Sequence, residues 1–158
     1  MPDELHFRRV MANFATGVTI VTSRGPDGRP CGLTANSLAS VSLDPLLVLV
    51  CVDREAASHA CIVAGGAFAV SILGRQHEQL AHRFARGDRG ARFDELECRT
   101  ELTGSPVLDD ALAWLDCRVT AIHEGGDHSI VVGEVVACDL RDGEPLVFYR
   151  GGYHRMGP

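Results

Sequence analysis

Gly32-Leu33-Thr34-Ala35-Asn36-Ser37-Leu38-Ala39-Ser40-Val41-Ser42-Leu43-Asp44-Pro45 lies between two strongly β-forming segments, Val18–Arg24 and Leu46–Asp53. Thr34, Asn36, Ser37, Ser40 and Ser42 give it short hydroxyl and amide groups, too polar for ordinary core. Ala35 and Ala39 keep the surface shallow, so that a flat ligand can approach the backbone. Short hydroxyls with exposed N–H groups suit a phosphate and the edge of a heteroaromatic ring. Composition alone also allows a plain Ser/Thr-rich connection between strands.

On the N-terminal side, Asp3–Ala15 reads as an amphipathic helix with Phe7, Val10, Met11 and Phe14 on one face, and Gly17 is its stop. Gly25-Pro26-Asp27-Gly28 is a turn, so Arg29–Thr34 returns antiparallel to Val18–Thr22. On the C-terminal side, Leu46–Val52 has no polar interruption, the pattern of a strand buried on both faces. Ala56–Ala64 reads as a short helix closed by Gly65-Gly66, with Ser58 either capping it or offering its hydroxyl to a phosphate. Ala67–Leu73 is a strand and Arg75–Ala85 a helix. Leu112–Glu124, His128–Leu140 and Pro145–Arg150 are strands separated by short turns and must run antiparallel.

That order of elements excludes alternating strands and helices around a parallel sheet, and neither G-x-G-x-x-G nor G-x-x-x-x-G-K-[ST] occurs. About eight short strands with peripheral helices predict a mainly β chain, a closed or split antiparallel barrel. At 158 residues, 46% hydrophobic and 23% charged, residues 1–158 make one domain able to bury its own core. A net charge of -6 argues against nucleic acid as a partner, although a modest basic cluster spans Arg83–Arg92. No apolar run reaches membrane-spanning length and Met1–Arg9 is too charged for a signal peptide, so the cytoplasm is the expected location.

The six cysteines form no C-x-x-C pair, which removes zinc-finger and thioredoxin-like readings. Without an oxidising context, they are expected to be reduced and mostly buried thiols. His77-Glu78-Gln79-Leu80-Ala81-His82 has one residue too many for the zinc-protease helix. No G-x-S-x-G is present, and no nucleophile–base pair stands out.

Gly32-x-Thr34-Ala35-Asn36-Ser37, Ser40-Val41-Ser42 and Pro45-Leu46-Leu47-Val48 resemble the flavin-binding segment of the short-chain flavin reductase family, with Leu46 replacing the second proline of its doublet. The likeness continues through Ala15–Thr22, Phe68–Leu73, Gly126-Asp127-His128-Ser129-Ile130, Gly133-Glu134-Val135 and Pro145–Tyr149 ahead of Gly152-Tyr153, in family order along nearly the whole chain. The resemblance implies an antiparallel Greek-key split β-barrel of the FMN-binding type, usually a homodimer with ligands near the subunit interface. It implies an NAD(P)H:flavin oxidoreductase that reduces FMN (or FAD) with NADH or NADPH and supplies a partner flavin-dependent monooxygenase.

Carried over residue by residue, the flavin contacts are Thr34, Ala35, Asn36, Ser37, Ser40, Val41, Ser42, Cys51, Val52, Ser58, Arg92, Phe93 and Tyr153. Arg92 is placed against a phosphate and Phe93 beside the ring, while His128 is the residue near the nicotinamide. Hydride transfer between two bound cofactors asks the protein chiefly for orientation, which agrees with the missing catalytic pair. A non-catalytic split-barrel carrier or sensor fits the same residues, and an oxidase like the pyridoxamine-phosphate oxidases fits them less well. FMN against FAD, and NADH against NADPH, are open at this level.

Overall fold

The computed structural model describes residues 1–157. The chain opens with α1 (Glu4–Met11), β1 (Thr16–Gly17), β2 (Thr19–Arg24), β3 (Pro30–Ala35), β4 (Ala39–Leu43) and β5 (Leu46–Asp53). It continues with α2 (Ala57–Gly65), β6 (Ala67–Ile72), a 3-10 turn (Arg75–His77), α3 (Glu78–Arg86) and a second 3-10 turn (Arg89–Ala91). β7 (Cys98–Thr100), β8 (Pro106–Leu108), β9 (Ala113–Gly125), β10 (His128–Leu140), β11 (Leu146–Tyr149) and β12 (Gly152–Arg155) complete it. Seven strands form one sheet in the order β3-β2-β6-β9-β10-β5-β4; β1, β11 and β12 form a second sheet, and β7 pairs with β8. Every pairing is antiparallel, as the short turns require.

One apolar cluster gathers Val21, Val50, Val52, Ile62, Phe68 and Val131; the other gathers Ile20, Leu73, Ala81, Phe84, Leu108 and Leu146. The second cluster anchors α3 through Ala81 and Phe84, and so fixes the helix that borders the candidate site.

Several expectations need correction. The N-terminal helix ends at Met11 rather than Ala15, and Gly17 is not its stop but part of β1, paired with Val147. Arg150 ends the helix: its N–H donates to Ala12 O at 2.9 Å, and its guanidinium donates to Asn13 Oδ1 at 2.9 and 3.1 Å. Among the described residues nothing covers the apolar face of α1, where Phe7 is 59% exposed, or Phe14 in the turn that follows it, 70% exposed.

β5 is not buried on both faces. Val48, Val50 and Val52 are buried, while Leu47, Leu49 and Cys51 are half-open and Leu46 is exposed. The organising stretch is also less of a connection than its composition suggests, since Gly32–Ala35 belongs to β3 and Ala39–Leu43 is the outermost strand β4. β7, β8 and β12 are three or four residues long, too short for alternation to announce them.

The cysteine expectation fails most clearly. Cys31 on β3 and Cys61 on α2 form a disulfide with Cα atoms 6.5 Å apart. Thirty residues separate them in sequence, and only the packing of α2 against β3 brings them together. Of the free cysteines only Cys117 is buried; Cys51 and Cys98 are half-buried and Cys138 is exposed.

Candidate functional site

Two cavities border β3 along Cys31–Ala35. The larger, about 710 Å³, is bounded by Cys31 and Gly32 of β3, Ser58 of α2, and Arg89, Arg92 and Phe93 of the loop after α3. The smaller, about 300 Å³, is bounded by Thr34, Ala35 and Asn36 together with His82, Arg86 and Tyr153. Three residues expected at the site, Thr34, Ala35 and Asn36, therefore meet Tyr153, and three more, Ser58, Arg92 and Phe93, meet one another. Ser58 is 3% exposed in the first turn of α2, but the cap position is Ala56, so capping is not its role. From the first turn of α2 it borders the larger cavity.

Arg92 is the most constrained of these residues. Its Nη1 donates to Gly32 O at 2.8 Å, and its buried Nε has no partner among the described residues. Burial, and then the neighbouring charge of Arg89, lower its pKa from the ordinary arginine value, against a smaller opposing effect of Asp88. The Arg92 guanidinium borders the larger cavity together with Arg89 and Ser58, two cations and a hydroxyl of the kind that suits the phosphate of a nucleotide.

In the smaller cavity the walls are aromatic. Tyr153 lies edge-on to His82 with centroids 4.8 Å apart and tilted against Phe148 at 5.5 Å. Burial raises the Tyr153 hydroxyl above its ordinary pKa, the nearby Arg86 charge works the other way, and Glu78 adds to the rise. Thr34 Oγ1 donates to Ala81 O at 2.6 Å, which ties β3 to α3 at the cavity wall.

The other expected residues line neither cavity. Ser37 Oγ donates to Cys51 O at 2.9 Å and accepts from Cys51 N at 3.1 Å, so both residues lock the 36–38 connection onto β5. Val52 is 1% exposed in the core. Ser40, Val41 and Ser42 lie on β4 with Val41 at a register shift, and Ser42 Oγ accepts from Asp44 N at 3.2 Å. His128 opens β10 opposite Asp53, and its Nδ1 lies 2.7 Å from Asp127 Oδ1. That bond, and then the charge of His128, lower the pKa of Asp127.

His82, Arg86 and Arg89 are site residues that sequence patterns alone did not single out. The signal for Arg86 and Arg89 is the basic cluster Arg83–Arg92, which spreads over α3 and the following loop to border both cavities, while His82 stood out only in the rejected zinc-protease spacing. The two histidines of the His77–His82 run have separate partners. His77 accepts from Gly74 N at 3.0 Å and meets Asp110 at 3.0 Å, whereas His82 faces Tyr153.

The sheet order and the clefts beside β3 define a mainly antiparallel β protein of the split-barrel class. Residues 11–157 match the flavin reductase like domain, and the chain belongs to that family. It is 42% identical over 150 residues to "FMN reductase (NADH) SmoA" of Agrobacterium fabrum (strain C58 / ATCC 33970), covering 95% of this chain and 84% of that protein. It is 38% identical over 157 residues to "Flavin-dependent monooxygenase, reductase subunit HsaB" of Rhodococcus jostii (strain RHA1), covering 99% and 80%. Among solved structures, the Streptomyces globisporus C-1027 NADH:FAD oxidoreductase SgcE6 in complex with NAD and FAD fragments superposes with a TM-score of 0.92 at 40% identity, covering 99% and 94%.

Proposed function

We propose that residues 1–158 act as one NAD(P)H-dependent flavin reductase domain, moving a hydride from a nicotinamide to FMN or FAD and supplying a partner monooxygenase with reduced flavin. The observation that carries this reading is the adjacency of a cationic, hydroxylated cavity and an aromatic one along β3. Ser58 and Arg92 hold the phosphate, Phe93 flanks the ribityl end, and Thr34, Ala35 and Asn36 lie along the ring, with Tyr153 closing the far side. When bound, the flavin supplies the hydride-accepting chemistry and the nicotinamide the hydride; the chain binds and orients them. His128 stands outside both cavities, so its assignment to the nicotinamide rests on the family resemblance. The names of the relatives support NADH as the donor and leave both flavins in play.

A homodimer is part of the proposal. The uncovered face of α1 at Phe7 and Val10, with Phe14 just beyond the helix, and that of β4–β5 at Val41, Leu43 and Leu46, are the apolar surface it would bury.

Anaerobic mixing of the protein with NADH and FMN tests the activity. Bleaching of the visible flavin band, at a rate proportional to protein, is the expected result. Bound flavin that NADH and NADPH leave oxidised would make the chain a carrier instead.

A further inference from the structure

We infer that Arg83 is the positioning residue of the phosphate seat, holding Arg92 where a flavin phosphate can meet it; this rests on the proposed reading of the Ser58–Arg92 cavity. Arg83 sits in the last turn of α3. Its Nε donates to Arg92 O at 2.9 Å, while its Nη2 donates to Arg92 O at 2.5 Å and to Asp94 O at 2.6 Å. One planar fork therefore grips two carbonyls of a loop that belongs to no sheet.

The grip is part of a closed circuit. Phe84, the next residue of α3, meets Phe93 edge-on with centroids 5.1 Å apart, and Phe93 lies between the two gripped carbonyls in sequence. The same Phe84 ring covers Gly32, whose carbonyl accepts from Arg92 Nη1. Helix, loop and strand thus each fix the next, and the Arg92 guanidinium keeps its buried Nε uncommitted. Replacing Arg83 frees the carbonyls of Arg92 and Asp94 and removes the polar tie between loop and helix. A lysine at 83 restores the charge but not the fork, because one ammonium on a flexible stem cannot satisfy both carbonyls in that geometry.

The test compares FMN with riboflavin, which lacks the phosphate, by flavin fluorescence titration of full-length R83Q, R83K, R92Q and R83Q/R92Q. R92Q is expected to weaken FMN by about ten- to a hundred-fold, the range for one charged hydrogen bond, and to leave riboflavin largely unchanged. R83Q is expected to lower the FMN-to-riboflavin preference in the same sense, R83K to lower it less, and R83Q to add nothing in the R92Q background. Equal weakening of both flavins by R83Q, or an undiminished effect of R83Q in the R92Q background, would make Arg83 a merely structural tie and overturn the inference. Should R83Q not fold, R83K and R83K/R92Q decide by the same two criteria. An R92Q protein that keeps the full FMN preference removes the phosphate seat itself, and the role of Arg83 with it. NADH oxidation by the wild type is scored separately, so a failed positioning role is distinguishable from a failed reductase reading.

Discussion

The ring of Phe84 fills the space that a side chain at residue 32 would need. A β-carbon built on Gly32 would lie 2.9 Å from Cε1 of Phe84 and 3.2 Å from Cγ2 of Thr22. Phe84 is 1% exposed and cannot swing into solvent. Gly32→Ala is therefore expected to destabilise the fold by about 1–3 kcal/mol, the usual cost of overpacking. It should also weaken FMN, since the Gly32 carbonyl anchors Arg92. Urea unfolding and a flavin titration on one preparation check both; an unchanged unfolding midpoint would mean that the ring yields freely.

Two serine sets compete for the phosphate. Ser58 borders the larger cavity, whereas Ser40 and Ser42 lie on the outer strand β4. Ser58→Ala is expected to weaken FMN by about 1.5–3 kcal/mol, the range for a hydrogen bond to a charged group. Ser40→Ala/Ser42→Ala together are expected to cost less. The opposite order in a fluorescence titration would move the phosphate to β4.

The thiol of Cys117, fully buried in β9, is pushed up to about 12 from its ordinary 9.0, first by burial and then by the Asp116 charge. Folded chains thus keep a proton that unfolded chains release as the pH passes 9.0. Stability must fall as the pH rises from there towards 12, because the unfolded state binds fewer protons. Cys98, raised to about 11 chiefly by burial, acts in the same direction over a narrower window. Urea titrations across this alkaline range should show the decline, and Cys117→Ala should flatten its slope. An identical slope in the variant would refute the assignment.

The Cys31–Cys61 link predicts a thiol count. Protein denatured without reductant should titrate four thiols, from Cys51, Cys98, Cys117 and Cys138, and six after reduction. In the folded protein, alkylation should reach exposed Cys138 first and buried Cys117 last. Six thiols without reductant would dissolve the link between β3 and α2.

Local chemistry determined much of this protein. The β-branched run Thr19–Thr22 and the apolar run Val48–Val52, the turn residues Gly25–Gly28 and Gly126-Asp127, and the left-handed Gly66 that ends α2 act over a few neighbouring residues, and each is legible from them. The ordered motifs around Gly32–Pro45 carried the family, and Thr34, Asn36, Ser58, Arg92, Phe93 and Tyr153 all border the cavities beside β3. Tertiary packing decided the rest. Whether a serine faces a cavity or a backbone amide depends on strands far away in sequence, which is why Ser37 binds Cys51 while Ser58, itself buried, borders the larger cavity. The same holds for Cys31 and Cys61, joined across thirty residues, and for Arg83, whose fork closes on carbonyls nine and eleven residues along the chain. Contacts of that kind are set by how helix, loop and strand stack on a shared core, and no spacing rule along one segment encodes them.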